Sequence, residues 1–289
     1  AFPLTAGSNN IVVAAAYQRL IDLYDLYQDS TLTQEYKGGV DVISPGAAIQ
    51  IVPEFAIGAA FNIWTGSVDY TLDYEASDNN DVDINNLAKF SGFNINIGAL
   101  ATFDKFKIGA VAKTPLSLTE KWKPADTEFE YKFKFPMTFG FGISFQPNDN
   151  LTLAADVDVR PYSNTDIEDV DNDTTYTAEY DNTTQFRVGL EYLVITESNV
   201  FPVRLGFHTD PLIQNPFYPL SEEKTTGLFF SGGFGVIVGN IWFDAAYELG
   251  MLKATLDNYE STDGTYNYVD NLEYKEMTHN IILSAIVHF

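Results

Sequence analysis

Acids and bases recur at even spacings in Asp156, Asp158 and Arg160, in Arg187 and Glu191, in Arg204 and His208, and in Asp244 and Glu248. Even spacing places residues on one face of a β-strand, and Lys107 and Lys113 fit the same rule. Opposite charges on neighbouring strands can pair across an antiparallel ladder. Two kinds of chemistry are open to such a face. It can be a solvated ion-pair network that fills an interior, or it can be a polar path with a carboxylate-binding site for an amphipathic substrate. Arg187 and Arg204 are the first candidates for that second role, because a guanidinium offers a carboxylate two parallel donors.

Two connections carry further candidates. The segment 209–224, TDPLIQNPFYPLSEEK, exposes Leu212, Ile213, Phe217, Tyr218 and Leu220 between Pro211, Pro216 and Pro219. A contiguous apolar patch marks an interaction site, here the wall of a capture groove for an apolar ligand or a loop that packs on other loops. The segment 161–183 has seven acids and no Lys or Arg. Its Asp169, Asp171 and Asp173 alternate as calcium ligands do, but the glycine turn and distal Glu of an EF-hand loop are missing. Calcium in this loop is the one cofactor expectation, set against a merely solvated acidic face.

Enzyme chemistry finds little support. His208, His279 and His288 lie on different segments without metal-ligand spacing, no Gly-x-Ser-x-Gly elbow occurs, and there is no cysteine. The formal charge of -24 argues against a nucleic-acid partner, since phosphate binding needs a basic surface.

The elements that must position these residues follow from period. In FPMTFGFGISF (135–145), Phe135, Met137, Phe139, Phe141, Ile143 and Phe145 share a face opposite small or polar residues. Leu151, Leu153, Ala155, Val157 and Val159 oppose Thr152, Asp156, Asp158 and Arg160 in the same way, and Phe186, Val188, Leu190 and Tyr192 oppose Arg187 and Glu191. Such alternation is the strand signature. The longest apolar run, 11–17, is far short of the ~18 residues a transmembrane helix requires.

Connections alternate too. Short turns at 5–10, 52–54, 103–105, 146–150, 196–199 and 239–240 are interleaved with long polar connections at 28–40, 73–90, 115–127, 161–183, 209–224 and 254–274. Tight turns at one end and long loops at the other characterise antiparallel transmembrane β-barrels of the bacterial outer membrane. Twelve full strands are expected, at 10–27, 41–52, 55–72, 90–103, 106–116, 128–146, 151–161, 183–195, 200–209, 224–238, 241–253 and 274–289. The fold expected is thus an all-β antiparallel barrel in one domain, 1–289, with the terminal Phe289 in an aromatic girdle. Residues 1–9 read as the remnant of a preceding strand and its periplasmic turn. The acid-rich loops make the extracellular face anionic.

The stretch 200–250 resembles the C-terminal part of the FadL/TodX family of outer-membrane hydrophobic-compound transporters. The resemblance rests on Arg204, Leu205, Gly206, Pro211, Pro219, Gly232, Gly235, Asp244, Ala246 and Tyr247, with 44–61 and the closing strand as further matches. It implies a fourteen-stranded barrel with an N-terminal hatch, so that the hatch and first strand would precede residue 1. It also implies passive uptake of hydrophobic small molecules such as long-chain fatty acids, with outer-membrane lipid and an apolar ligand as partners. Strand 10–27 lacks the Gly or Pro of the family's kinked strand at the lateral exit. The alternative is a non-transporting barrel that serves as a subunit of a secretion or cell-surface assembly, with a protein partner at the extracellular loops.

Overall fold

The structure, a computed structural model, describes residues 1–6, 9–74, 82–124, 127–197, 199–256 and 272–287. Among these residues the strands are β1 Phe2–Ala6, β2 Asn9–Asp22, β3 Asp25–Gln28, β4 Leu32–Val52, β5 Phe55–Tyr74, β6 Val82–Thr102, β7 Phe106–Lys113, β8 Leu116–Pro124 and β9 Phe129–Phe135. They continue with β10 Thr138–Asn148, β11 Leu151–Arg160, β12 Asp166–Asp169, β13 Thr174–Thr177, β14 Thr183–Ile195, β15 Val200–Pro211, β16 Thr226–Val238, β17 Ile241–Leu256 and β18 Leu272–Val287. No helix among the described residues is long and apolar enough to cross a membrane.

The chain forms two compact units, one of residues 1–99, 111–138 and 163–178, the other of 100–110, 139–162 and 179–289. In the first, β1 and β2 form a hairpin, β4 pairs with β2, β3 and β5, and β6, β8, β9, β12 and β13 follow one another as antiparallel neighbours. In the second, β10, β11 and β14 to β18 pair in sequence order, all antiparallel.

Burial is inverted with respect to a water-soluble sheet. Phe61, Ile63, Phe93, Ile97, Phe141, Phe186 and Val188 are exposed, whereas Asn62, Asn94, Asp158 and Gln185 on the opposite faces are buried. Apolar side chains shun water, so this arrangement is stable only where the exposed face meets lipid. Part of the buried face of the first unit is a connected chain of side-chain hydrogen bonds. Ser44 Oγ donates to Asn62 Oδ1 at 2.7 Å, while Asn62 Nδ2 and Trp64 Nε1 donate to Asn94 Oδ1 at 3.1 and 2.9 Å. Replacing Asn94 with leucine leaves two donors unpaired, each at a cost of about 1–3 kcal/mol. The expected result is a clear drop in the urea midpoint of unfolding, followed by heat-modifiable gel migration.

Several expected connections are themselves strands. β4 and β5 run for 21 and 20 residues, well past the 9–11 a strand needs to cross hydrocarbon. β8 occupies much of 115–127, and β12 and β13 make a hairpin within 161–183. The expected strand 128–146 is interrupted between Phe135 and Thr138, at Pro136, which has no N–H to give a ladder. The expected strand 10–27 is not straight. Its register with β4 shifts between Arg19 and Ile21, and Asp22 accepts the Tyr24 amide at 3.3 Å. The partner strand supplies the glycine, because Gly38 lies at φ 145° in the facing stretch. The tight turn between β16 and β17 uses Gly239 at φ 60°, as a two-residue hairpin with glycine first requires. Phe289 lies outside the described residues, as do residues 75–81 and 257–271 of the acid-rich stretches 73–88 and 254–273.

Candidate functional site

The second unit gathers the charged residues singled out by spacing. Asp156 stands opposite Arg187 in the β11–β14 register, and Glu191 opposite Arg204 in the β14–β15 register. Arg187 donates from Nε to Asp156 Oδ1 at 2.6 Å, from Nη2 to Asp158 Oδ2 at 2.6 Å and from Nη1 to Gln185 Oε1 at 2.7 Å. Arg160 reaches Gln185 Oε1 at 2.5 Å and Asp158 at 3.4 Å. Arg204 donates from Nε to Glu191 Oε2 at 2.7 Å and makes a short contact with Asp244. That second bond spans the width of β16, where Gly233 and Gly235, the register partners of Arg204 and Asp244, present no side chain to block it.

The guanidinium forks of Arg187 and Arg204 are therefore filled by the protein's own carboxylates. Glu248 accepts Asn280 Nδ2 at 3.1 Å and lies 3.7 Å from His208 Nδ1, while the His208 ring stacks on Phe229. Lys107 and Lys113 join none of these pairs among the described residues. Gln185, Asp210, Asn280 and Ser284 belong to the same network and were not singled out. Their parity could have found them, since Gln185 lies two residues before Arg187 and Asp210 two after His208.

The segment after β15 folds on Asn215, which is buried. Its Nδ2 donates to the Glu223 carbonyl at 2.7 Å and to Thr225 Oγ1 at 3.1 Å, and its Oδ1 accepts the Phe217 amide at 2.7 Å. The Leu212 amide donates to the Thr225 carbonyl, and the Ile213 carbonyl accepts the Asp181 amide. Lys224 pairs with Asp181 at 3.4 Å. On this scaffold Ile213 and Leu220 are exposed and Leu212, Phe217 and Tyr218 half-buried. The apolar surface is thus presented by a segment with a fixed backbone.

The three aspartates of the acidic connection sit at the β12–β13 turn. Asp169 accepts the Asn172 amide and Nδ2, Asp171 accepts the Glu130 amide at 2.9 Å, and Asp173 adopts φ 51°. No group of three metal-ligating side chains converges among the described residues. Nearby, Lys134 at 2.5 Å and Lys132 at 3.4 Å hold the Glu168 carboxyl below the usual glutamate range. Because the folded-state value is depressed, this attachment is at full strength above the ordinary glutamate pKa. It weakens as pH falls below about 4 through the folded value. Protection of the Ile167 and Phe133 amides against exchange, taken relative to neighbouring strands, is expected to be constant from pH 7 to 5 and to fall below about pH 4.

Solved structures with the same fold are outer-membrane proteins. The Pseudomonas putida toluene transporter TodX aligns with a TM-score of 0.59 at 11% identity, over 99% of this chain and 81% of its own. BauA, the ferric preacinetobactin receptor of Acinetobacter baumannii, aligns at 0.50 and 11% identity, over 98% of this chain and 53% of its own. At such identity they show the fold alone, an antiparallel outer-membrane β-barrel. No curated protein matches the sequence significantly.

Residues 51–268 match the family described as "Type IX secretion system membrane protein PorP/SprF". This match overturns the assignment to the FadL/TodX family, and with it the expectation of fatty-acid or hydrocarbon uptake. The geometry agrees with the correction, because the face that would handle a substrate carboxylate is already occupied by Asp156, Asp158, Glu191 and Asp244. The match covers well over half of the sequence and lies on an outer-membrane fold: the chain is a bacterial outer-membrane protein and belongs to the PorP/SprF family of type IX secretion system membrane proteins.

Proposed function

We propose that this barrel is a non-enzymatic subunit of a type IX secretion assembly that docks a protein partner at the cell surface through the 211–225 segment. The observation that carries the reading is the segment's construction. Its backbone is tied down by Asn215 and by the Ile213–Asp181 bond, while Ile213 and Leu220 face outward. A partner that buries this surface orders little that is not already ordered, so most of the apolar contact energy is available for association. Family membership supplies the class of partner, another protein of the secretion assembly. The apolar wall is covered by outer-membrane lipid, and the inward network serves to hold strands together.

The test is purification of the tagged protein from its native envelope in mild detergent, alongside a secretion assay in a strain that lacks it. Stoichiometric recovery of other type IX components and loss of secreted cargo on deletion are the expected results. Normal secretion in the deletion strain would overturn the reading.

A further inference from the structure

A cavity of about 640 Å³ opens on the exposed face of the first unit, lined by Arg19, Lys37, Lys89 and Lys121 with the hydroxyl residues Thr65 and Ser67. The chain as a whole has 16 cations against 40 acids, yet this wall sets four cations against two carboxylates, Asp41 and Asp69. Arg19 is neutralised by Asp41 at 3.0 Å and Lys121 by Glu130 at 2.9 Å. Among the described residues no carboxylate lies within ion-pair distance of Lys37 or Lys89. Lys89 and Lys121 are direct partners in the β6–β8 register, and like charges so placed repel; Glu130 on β9 compensates Lys121, which leaves Lys89 without a counter-charge among the described residues.

Position identifies the anion. On β5 the row Ile57, Phe61 and Ile63 is continued by Thr65, Ser67 and Asp69. On β6 Ile97, Ile95 and Phe93 are continued by Ser91 and Lys89, and on β2 Val13 and Tyr17 by Arg19. Each row turns from apolar to polar about ten residues from its short turn, the length a strand needs to cross hydrocarbon. The cavity therefore sits at the boundary between acyl chains and headgroups, on the side of the long connections, which is the outer surface in barrels of this class.

We infer that the cavity binds the phosphate-bearing headgroup of an outer-leaflet lipid. Lys37, Lys89 and Lys121 face the phosphate, Thr65 and Ser67 donate hydroxyls to it, and the acyl chains lie on Phe61, Ile63, Phe93 and Ile95 below. A phosphate supplies the counter-charge that Lys37 and Lys89 lack, and its salt-bridged oxygens gain from the low dielectric beside the hydrocarbon. The contiguous apolar row is what selects a lipid over a free anion.

The experiment titrates the full chain in detergent with diphosphoryl lipid A, with the dephosphorylated lipid and with inorganic phosphate, read by native mass spectrometry. Wild type is expected to retain diphosphoryl lipid A at least tenfold more tightly than either comparison probe. Lys37→Gln/Lys89→Gln/Lys121→Gln should lose that preference, while Lys37→Arg/Lys89→Arg/Lys121→Arg and the short-turn control Lys105→Gln keep it. Heat-modifiable migration verifies folding, and the single Lys89→Gln, with at least a threefold loss expected, serves if the triple variant does not fold. Equal binding by the folded glutamine variants, or equal retention of the dephosphorylated lipid, overturns the inference. Inorganic phosphate bound as tightly as the lipid would make this a free-anion site and overturn it as well.

Discussion

Changing Ile213 and Leu220 together to aspartate is expected to abolish secretion through the assembly while leaving the barrel folded and inserted. Both side chains are exposed, and no hydrogen bond of the loop uses them. The loop backbone therefore keeps its Asn215 scaffold in the variant. Fully burying a large apolar side chain contributes about 1.5–3 kcal/mol, and Ile213 and Leu220 have 36% and 44% of their surface left for a partner to cover, so losing both removes roughly 1–2 kcal/mol. At about 1.4 kcal/mol per tenfold, that is on the order of tenfold in affinity, and the cost of burying two carboxylates adds to it. Partner recovery from native envelopes should fall to background, and cargo in the medium with it. Asn215→Ala should act differently. It unties the Phe217 amide and the Glu223 carbonyl, so proteolysis of the loop rises along with loss of the partner. If the double aspartate variant secretes normally, the apolar surface has another role and the docking reading fails.

What could be read from the sequence was the part of the chain that lies in lipid. There each strand has one face that must be apolar, and the alternation through Phe139, Phe141 and Ile143 or Phe186 and Val188 is unbroken. The short turns at 52–54, 103–105 and 239–240 also stand where expected, because tight hairpins demand particular residues. Above the membrane both faces of a strand meet polar surroundings, and the binary pattern fades. Leu116 and Leu118 are buried, but the Glu-Lys-Trp-Lys run that follows reads as loop rather than as the end of β8. Family assignment failed for a related reason. Several residues that carried the resemblance, Arg204, Gly235 and Asp244 among them, are required by an ion pair that bridges β16. Barrels of unrelated function face the same need to neutralise an inward charge, so such residues report architecture rather than cargo. The cationic cavity was illegible for a simpler reason: Lys89 and Lys121 meet only through the β6–β8 register, and β8 had been read as a connection.

Removing Arg187 is expected to harm the barrel more than removing the whole charge cluster around it. Arg187→Met leaves Asp156 and Asp158 on one face of β11 without their shared cation, and Gln185 without a donor from that side. An uncompensated ion in a fully buried pair costs about 3–5 kcal/mol, whereas exposed pairs are worth about 0–1. The side chains of Arg187, Asp156 and Asp158 are 39%, 40% and 12% exposed, so a loss of roughly 2 kcal/mol is expected, read as a lower urea midpoint at unchanged slope. Adding Asp156→Asn and Asp158→Asn to Arg187→Met should recover at least half of it, because the amides no longer repel and can still bond with Gln185 and Arg160. A substrate-binding role predicts something else: the forks would have to be free, and an added fatty acid would raise the midpoint of wild type but not of the variant. A cluster that exists to hold β11 to β14 shows the non-additive recovery and no response to the acid. If Arg187→Met proves neutral, the network is not structural, and the inward face again becomes a site in search of a ligand.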